Sequence, residues 1–453
     1  MEYLRSVNPY NGKQLGEYKL FSVQEVEGVL ENADRAFGEW RGQSVEDRVA
    51  LLRNLGKELW KGREKLGKLM AQEMGKPISQ GIAEVEKCVW ACDFYVKNAV
   101  RFLSDELIET EAMESFVSYD PIGCILAIMP WNFPFWQVIR CAAPTLTAGN
   151  TIILKHAGNV TGCAMALQGL FDRAGYPKGC FQVVVVGHKQ LETVLKSPVV
   201  QGVSLTGSEK AGRVVAGLAG KYLKRSVMEL GGNNACVVWD DADLDKYLDI
   251  MVNARMQNNG QSCIAAKRFI VVEAIYEEFL TRFRNKVRSL RSGDPLDENI
   301  DIGVMAREDL AKTLARQVKN SIAMGAEVDY GNARKGTYYG PTILTGVKPG
   351  MPAFEEELFG PVAAVVKAKD NRDAIALAVR SRYGLGTMLF TRDVTSARKI
   401  IGEIPDGAFF INEMVKSDPR LPFGGTKASG YGRELSMEGM LEFVNKKTVY
   451  IGK

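Results

Sequence analysis

Short apolar segments alternate with helix-like segments from residue 123 onward, and this alternation constrains the fold more than any other feature. The apolar segments lie at 124–129, 151–154, 182–186, 203–206 and 235–239. They are apolar enough to be strands buried on both faces, and segments with helical spacing, such as 162–174, separate them. Strands and helices in this order predict a mostly parallel, doubly wound α/β sheet.

The alternation begins again after residue 263, so a second α/β unit is expected. Its strands are predicted at 269–272, 362–367, 387–390 and 408–411, and its helices at 274–290, 309–324, 372–379 and 396–401. The two units join near the sequence Glu-Leu-Gly-Gly at 229–232. A chain of 453 residues is long enough for two or three such domains.

Three helices are predicted before the first strand, at 22–40, 44–74 and 79–103. The first begins with a capping box, in which Ser22 and Glu25 satisfy each other's backbone N–H groups. Segment 104–120 has the alternation and charge of a β-hairpin arm and is a candidate oligomer contact. Segment 442–450 is a candidate for a strand that returns to it.

Composition limits the chemistry and the partners. The formal net charge is only +4, and no long basic segment is present, so we expect no nucleic-acid partner. No apolar run is long enough to cross a bilayer and the N-terminus lacks a signal-peptide core, so a cytoplasmic protein without a membrane partner is expected. His156 and His188 are the only histidines, which disfavours a serine–histidine triad or a metal site.

Cys263 differs from the other seven cysteines in its position along the chain. A helix-like segment at 244–257 ends in Asn-Asn-Gly, a typical C-terminal stop signal, and a strand-like segment begins at Arg268. The thiol therefore lies on a short connection, where a rigid scaffold can position a reactive side chain. The remaining cysteines show no CxxC spacing and are expected to be reduced and mostly buried.

Two further residues have chemistry that suits a thiol nucleophile. Asn132 lies within Pro-Trp-Asn-Phe-Pro at 130–134, a rigid turn from which an amide can donate to an oxyanion, or else cap the following helix. Glu229 has apolar neighbours and is followed by paired glycines. It is a candidate general base with a raised pKa, or else a salt-bridged hinge residue.

Two strand-to-helix connections have features of a nucleotide site. Gly207 and Ser208 follow a strand and begin a helix, so backbone N–H groups there can bind a phosphate, although an ordinary turn is about as common. Lys155 ends another strand and either bonds a ribose or is a solvated surface lysine. The loops at 355–361 and 421–430 are either pocket walls or surface loops.

In this order and spacing, the segments resemble the aldehyde dehydrogenase superfamily over essentially the whole chain. The matching segments are Pro-Trp-Asn-Phe-Pro at Asn132, Thr-Gly-Ser at Ser208, Glu-Leu-Gly-Gly at Glu229, Gly-Gln-Ser-Cys at Cys263, Glu-Leu-Phe-Gly-Pro at Glu357 and Pro-Phe-Gly-Gly-x-Lys-x-Ser-Gly at Pro422. The resemblance implies a Rossmann-type dinucleotide-binding domain (1–103 and 122–230), an α/β catalytic domain (231–435) and a small oligomerisation arm (104–121 and 436–453). It also implies a homodimer or homotetramer.

The resemblance implies a reaction as well. Cys263 would attack an aldehyde carbon, Asn132 and a backbone N–H near the thiol would hold the oxyanion, and hydride would pass to NADP or NAD. Glu229 would activate the water that hydrolyses the resulting thioester. Cofactor contacts are implied for Trp131, Lys155, His156, Ala157, Gly158, Gly207, Ser208, Gly212, Leu230, Glu357 and Phe359.

Gly158 departs from the family pattern at a position that affects cofactor choice. Many NAD-preferring members have a glutamate three residues beyond the strand-end lysine, where it binds the adenosine 2′-hydroxyl and repels a 2′-phosphate. Gly158 removes that repulsion, and Lys155 or His156 would attract the phosphate, so use of NADP is expected. Ala265 replaces a cysteine that forms a disulfide in some relatives, so that redox switch is not expected.

Within the family, the chain resembles bacterial succinate-semialdehyde dehydrogenases. The segments that carry this resemblance are 128–134, 154–157 and 417–425. A semialdehyde needs a cation at the far end of its pocket, and Arg140 matches a carboxylate-binding arginine of this group, two turns into a helix that begins near Phe133. Ser417 would add a hydroxyl and Trp136 an apolar wall. The alternative for Arg140 is a structural helix arginine.

Three other functions stay open on the sequence alone. Another small aliphatic aldehyde or semialdehyde is a compatible substrate. An acylating dehydrogenase passes the thioester to coenzyme A, but enzymes of that kind typically lack the glutamate present here as Glu229. A structural role, which some similar chains have, does not require the thiol, yet Cys263 and the other expected catalytic residues are all present.

Overall fold

Three β-sheets of three or more strands, with helices packed against them, make up the fold. The structure is a computed structural model that describes residues 2–187 and 190–453. His188, one of the two histidines, lies outside the described residues. Two of the sheets are mostly parallel and flanked by helices, which confirms the predicted α/β class.

The helices and strands have the following bounds. The helices are α1 (Val23–Trp40), α2 (Val45–Met74), α3 (Ile78–Phe102), α4 (Trp136–Thr147), α5 (Thr161–Ala174), α6 (Leu191–Lys196), α7 (Glu209–Lys221), α8 (Leu244–Met256), α9 (Tyr276–Arg288), α10 (Glu308–Ala323), α11 (Pro352–Glu355), α12 (Asn371–Val379), α13 (Val394–Lys399) and α14 (Ser436–Leu441). The strands are β1 (Tyr3–Val7), β2 (Gln14–Lys19), β3 (Glu106–Leu107), β4 (Glu114–Pro121), β5 (Cys124–Met129), β6 (Thr151–His156), β7 (Phe181–Val183), β8 (Val200–Thr206), β9 (Arg225–Glu229), β10 (Ala235–Val238), β11 (Arg268–Val272), β12 (Glu327–Tyr330), β13 (Arg334–Lys335), β14 (Tyr338–Tyr339), β15 (Thr342–Thr345), β16 (Val362–Ala368), β17 (Tyr383–Gly384), β18 (Thr387–Phe390), β19 (Phe409–Ile411), β20 (Thr426–Lys427), β21 (Gly430–Tyr431) and β22 (Val444–Ile451).

The first α/β sheet has the strand order β21-β9-β8-β5-β6-β7. Its strands are parallel except for the short edge strand β21, which runs antiparallel to β9. Alternate residues of β5 face opposite ways: Leu126 packs in a core with α1 and α7, and Ile125 packs in a core with α4 and α5. Burial on both faces explains why these strands are apolar at every position.

The second α/β sheet has the strand order β12-β15-β16-β11-β10-β18-β19, and only the edge strand β12 is antiparallel to its neighbour. The sequence pattern predicts five of its seven strands, β10, β11, β16, β18 and β19, but not β12 or β15. The sequence pattern also does not predict β9 of the first sheet. The charged residues Arg225 and Glu229 at its ends leave only a very short apolar run between them.

The third sheet is the arm, with the order β22-β4-β3 and antiparallel pairing throughout. It contains the hairpin and the returning strand that the sequence predicts. Leu107 and Met113 on this arm are 74% and 68% exposed.

The segment between the second sheet and the arm packs against the first α/β unit: β21 pairs with β9, and α14 contacts α3 and α4. The predicted domain limits at 230/231 and 435/436 stay a prediction. Each helix of the described residues is too short or too polar to span a bilayer.

Glu84 of α3 holds the beginning of α4. Its Oε1 accepts hydrogen bonds from the backbone N–H groups of Phe135 and Trp136, at 2.9 and 3.0 Å. Its other oxygen forms a buried ion pair with Lys76. The first turn of α4 has no cap from its own segment, so Glu84 supplies the acceptors and the negative charge that a helix N-terminus requires.

We predict that Glu84→Ala destabilises the protein far more than a surface substitution on the same helix. The change leaves the Lys76 ammonium buried without a counter-charge, which costs about 3–5 kcal/mol of unfolding free energy. Urea unfolding followed by circular dichroism measures the loss. Glu86→Ala is the control: Glu86 lies on the same helix, is 45% exposed, and should contribute about 0–1 kcal/mol. Equal effects of the two substitutions would show that Glu84 does not hold α4.

Candidate active site

Cys263 follows a turn in which three successive residues have left-handed backbone conformations. The φ angles are +56° at Asn258, +55° at Asn259 and +69° at Gly260. Asparagine and glycine are the residues that tolerate this region. A Cβ at position 260 would lie 2.3 Å from the carbonyl oxygen of Gly360, so this position requires glycine. The predicted helix stop is therefore a tight turn that reverses the chain toward the thiol.

The asparagine side chains of the turn bind carbonyl groups of distant segments. Asn258 Nδ2 donates to the carbonyl oxygens of Asn132 and Gln261, at 2.8 and 3.0 Å. Asn259 Nδ2 donates to those of Gly75 and Val304, at 3.0 and 2.8 Å. These bonds join the turn to the end of α2 and to the segment of Asn132, so the thiol has a rigid base.

Asn132 has one amide proton left for a ligand. Its Nδ2 donates to the carbonyl oxygen of Gln261 at 3.1 Å, and an amide nitrogen carries two protons. The alternative role as a helix cap does not apply, because α4 begins only at Trp136 and has no side-chain cap. Asn132 and Cys263 line the same cavity. The geometry therefore suits the predicted oxyanion role.

Two cavities meet at Cys263 and Gln137, which line both. The first has a volume of about 250 Å³, and the second about 310 Å³. Predicted cofactor residues that line the first are Trp131, Gly207, Ser208, Leu230, Glu357 and Phe359. Predicted substrate residues that line the second are Trp136, Arg140 and Ser417. The nucleophile thus lies between the two groups of residues that the sequence assigns to different ligands.

The N-terminus of α7 provides the phosphate-binding features predicted for the first cavity. Ser208 is the N-cap residue, and its hydroxyl accepts from the backbone N–H of Ala211 at 3.3 Å. The carboxylate of Glu209 in the first turn pairs with Arg213 and Arg382, which leaves the dipole of the helix end uncompensated toward the cavity. Gly212 has a packing role instead: a Cβ there would lie 2.4 Å from a methyl carbon of Leu230.

Glu357, Trp131 and Phe359 form the opposite wall. The rings of Trp131 and Phe359 meet edge to face with centroids 5.7 Å apart. The carboxylate of Glu357 accepts from the backbone N–H of Gly232 at 3.1 Å and pairs with Lys267 Nζ at 3.1 Å. Two contacts therefore fix an acceptor at the edge of the cavity, at a residue for which the resemblance implies a cofactor contact.

The C-terminal end of β6 argues against one cofactor prediction, the attraction of a phosphate by His156. His156 is buried, its Nε2 is 2.9 Å from the carbonyl oxygen of Pro134, and its Nδ1 accepts from the N–H of Ala157 at 2.9 Å. Burial lowers the pKa of His156 to about 4, so the ring is neutral. A neutral ring without a free nitrogen cannot attract a phosphate. Lys155 is the remaining cation here, although burial lowers its pKa.

Gly158 begins a short 3-10 turn beside β1. A Cβ at this position would lie 3.3 Å from the methyl carbons of Leu4, a close contact that a side chain of this kind can relieve by a small shift. A glutamate at 158 therefore meets a modest steric obstacle in this chain. The main consequence of glycine at position 158 is therefore that no carboxylate, and so no negative charge, is present there.

Lys267 is a residue of the site that sequence patterns do not identify. It is fully buried, and its ammonium donates to the carbonyl oxygens of Ser262 and Cys263, at 2.7 and 2.5 Å. Its pair with Glu357 links the nucleophile turn to the first cavity. A lysine four residues beyond a cysteine is unremarkable in a sequence, and only burial reveals its role.

The thiol of Cys263 is protonated at neutral pH in this arrangement. Burial raises its pKa, and the nearby carboxylates of Glu357 and Glu229 add to the rise. Lys267 and Arg140 oppose it but do not overcome it. All eight cysteines lie in described residues, and Cys263 is the only one that is partly exposed. The nucleophile is therefore accessible, and it needs additional positive charge to ionise.

Glu229, the last residue of β9, is buried and chemically unsatisfied. Its Oε1 has no hydrogen-bond partner among the described residues, and no cation lies within ion-pair distance of its carboxylate. Burial raises its pKa well above the ordinary value, while the charge of Arg140 partly opposes the rise. This excludes the salt-bridged hinge. The side chain lies against Gly424 and does not line either cavity, so a rotation is required before it can reach the thiol.

Arg140 lies one turn into α4, because the helix begins at Trp136 rather than near Phe133 as predicted. Its guanidinium forms a buried ion pair with Glu434 and donates to Thr206 Oγ1 at 3.1 Å. It also lies 4.8 Å from the centre of the Phe423 ring. The geometry favours the structural alternative, although binding of a substrate carboxylate by Arg140 stays a prediction.

Comparison with known proteins agrees with this architecture. The profile described as "Aldehyde dehydrogenase family" matches residues 1–449, so the chain belongs to that family. A Synechocystis sp. protein named "Probable succinate-semialdehyde dehydrogenase", with NADP(+), is 45% identical over 99% of both chains. An Escherichia coli protein named succinate semialdehyde dehydrogenase, with NAD(P)+, is 42% identical over 98% of this chain and 97% of its own.

A solved structure shows the same fold over the whole chain. The succinic semialdehyde dehydrogenase from Streptococcus pyogenes, in complex with NADP+ as the cofactor, superposes with a TM-score of 0.97. It is 34% identical in sequence, and the match covers 99% of this chain and 100% of that chain. The resemblance stated from the six sequence segments is thereby confirmed.

We predict that alkylation of Cys263 is slow at neutral pH. Because burial and two carboxylates raise its pKa, the rate with iodoacetamide should keep rising with pH beyond the ordinary range of a cysteine. Timed alkylation followed by peptide mass spectrometry measures the curve. The seven buried cysteines are internal controls and should stay unmodified in the folded protein. A rate that is already maximal at neutral pH would contradict this charge balance.

Proposed function

We propose that this protein oxidises succinate semialdehyde to succinate with NADP or NAD as the hydride acceptor. The observation that carries the proposal is the position of Cys263 between two cavities, one with phosphate- and ribose-binding features and one with a cation-lined end. The names of the two relatives and the NADP+ complex of the structural neighbour support the substrate and the cofactor.

The residues of the first cavity fit a nicotinamide dinucleotide. The N–H groups at the beginning of α7 suit a diphosphate, Glu357 suits a ribose hydroxyl, and the aromatic pair of Trp131 and Phe359 suits a planar ring. The bound cofactor supplies a positively charged ring that accepts hydride. In this proposal, Lys155 near the end of β6 meets the adenosine side, and Gly158 presents no carboxylate to a 2′-phosphate.

The first half-reaction uses Cys263 and Asn132. The thiol gives its proton to solvent water, and the thiolate attacks the aldehyde carbon, forming a carbon–sulfur bond and an oxyanion. The free amide proton of Asn132 donates to that oxyanion and lowers the barrier. A nicotinamide dinucleotide held by the residues of the first cavity would supply the hydride acceptor, and loss of hydride would restore the carbonyl group and leave a thioester on Cys263.

The second half-reaction uses Glu229. Its carboxylate has to rotate from Gly424 toward the thioester, where it accepts a proton from the attacking water. Collapse of the tetrahedral adduct breaks the carbon–sulfur bond and releases the carboxylate product. A raised pKa makes Glu229 a stronger base once it is ionised, and it means that hydrolysis should accelerate as pH rises through that pKa.

A panel of aldehydes assayed with NADP and NAD, followed by absorbance of the reduced cofactor, tests the proposal. Succinate semialdehyde should give the highest kcat/KM, and chromatography should identify succinate as the product. Formation of an acyl-CoA when coenzyme A is present would instead support the acylating enzyme. Cys263→Ala should abolish the activity. A parent protein that is inactive with all of the aldehydes would favour a structural role.

The proposal has three further parts. They are the predicted domain limits, a homo-oligomer built through the arm, and a cytoplasmic location.

The cofactor prediction concerns Gly158. Wild-type kcat/KM with NADP should be at least comparable to that with NAD. Gly158→Glu should lower kcat/KM for NADP by about tenfold or more, because like charges brought together cost at least 1.4 kcal/mol or about a factor of ten. Gly158→Ala is the matched control, since it makes the same contact with Leu4 without a charge. A strong wild-type preference for NAD would refute this interpretation of the glycine.

Glu229→Gln should separate the two half-reactions. The amide cannot accept the proton of water, so steady-state turnover should fall by about 10²–10⁴-fold. The first turnover does not need this base, and rapid mixing should show a burst of reduced cofactor close to one equivalent per active site. Loss of the burst together with turnover would mean that Glu229 acts earlier, in activation of the thiol.

A further inference from the structure

The second cavity contains three cationic side chains, and only one of them lacks a carboxylate partner. Arg140 is neutralised by the buried Glu434, and Lys416 pairs with Glu413 at 2.8 Å near the surface. No carboxylate of the described residues lies within ion-pair distance of Lys87, which projects from α3 into the same cavity as Cys263. A partly buried ammonium without a counter-ion is unusual, because desolvated charge is costly.

Lys87 is nevertheless held in one place. Its ammonium donates to Ser417 Oγ at 2.8 Å and lies 4.3 Å from the centre of the Trp136 ring. Trp136 Nε1 donates to the same hydroxyl oxygen at 3.0 Å. Ser417 therefore accepts two hydrogen bonds, which use both of its lone pairs and leave its own proton free to donate. Lys87 keeps further ammonium protons beyond the one that it gives to Ser417.

We propose that Lys87 is the specificity-determining residue that binds the carboxylate end of the substrate, with the hydroxyl of Ser417 as the second donor. One carboxylate oxygen accepts from the ammonium and the other from the hydroxyl, while the rings of Trp136 and Phe133 line the path to Cys263. The inference rests on the proposed function, and it moves the substrate charge contact from Arg140 on α4 to Lys87 on α3.

Lys87→Met is the variant that tests the assignment. It keeps the unbranched apolar stem of the side chain, shortened by one atom, and removes the charge. KM for succinate semialdehyde should rise by about 10–100-fold, because the carboxylate loses a charged hydrogen-bond donor, whereas kcat should change little. Butanal has the same chain length without the carboxylate and should lose much less. Lys87→Arg should restore most of the affinity. Lys97→Met, an exposed lysine on the same helix, is the matched control.

The pH dependence gives a second readout. Burial, and next the charge of Arg140, lower the pKa of Lys87 to about 8. The acidic groups of Cys88, Glu84 and Asp418 act in the opposite direction and raise it. The ammonium is charged below that pH and neutral above it. KM for succinate semialdehyde should therefore rise as pH increases through this range, while KM for butanal should not. Lys87→Arg should abolish the rise, because a guanidinium stays charged.

The outcomes separate this inference from the proposed function. A wild-type enzyme that prefers butanal to succinate semialdehyde overturns the proposed substrate, and the assignment of Lys87 falls with it. A preference for succinate semialdehyde that survives in Lys87→Met overturns the assignment alone. Equal losses for both aldehydes in Lys87→Met, without rescue by Lys87→Arg, would show that Lys87 is only structural. Arg140→Met with a selective rise in KM as large as that predicted for Lys87→Met would return the contact to Arg140.

Discussion

The buried guanidinium of Arg255 is the interaction on which the site depends. It donates to the carbonyl oxygens of Ala266 and Gly260 on either side of the nucleophile, at 3.1 and 2.6 Å. It also donates to those of Leu358 and Gly360 in the opposite wall. No carboxylate pairs with it among the described residues, and burial lowers its pKa to about 9. One side chain thus fixes the distance between the thiol and the wall of the first cavity.

Two of the buried cations in the site each have an acid of their own, whereas Arg255 is bound by carbonyl groups alone. Lys267 pairs with Glu357, and Arg140 pairs with Glu434. Because these pairs compensate themselves, neither cation stabilises a thiolate strongly, and burial keeps Cys263 protonated. In the proposed reaction, a bound oxidised cofactor would supply the positive charge that the site lacks.

Features that depend on neighbours in sequence are predictable here, and features that depend on distant neighbours are not. The capping box of Ser22 and Glu25 and the stop after α8 are local, and both are present as predicted. Arg140 looks like a carboxylate-binding arginine until folding brings Glu434, almost 300 residues away in sequence, against its guanidinium. His156 looks like a phosphate ligand until burial makes it neutral. The six sequence segments were enough to identify the family, because each of them combines uncommon residues in a fixed order.

Helix α3 shows how specificity and architecture are joined in one element. Glu84 and Lys87 are three residues apart and therefore lie on the same face of the helix. Glu84 holds the N-terminus of α4 through the N–H groups of Phe135 and Trp136. Lys87 lies over the ring of that same Trp136. One face of α3 therefore positions both the Lys87 ammonium and the Trp136 ring beside it. The proposed substrate contact is then held as firmly as the turn that precedes Cys263, although it lies far from the thiol. If Lys87 binds the substrate as proposed, a change at Lys87 alters which aldehyde is accepted and leaves the groups that perform the chemistry in place, whereas a change at Glu84 disturbs α4 itself.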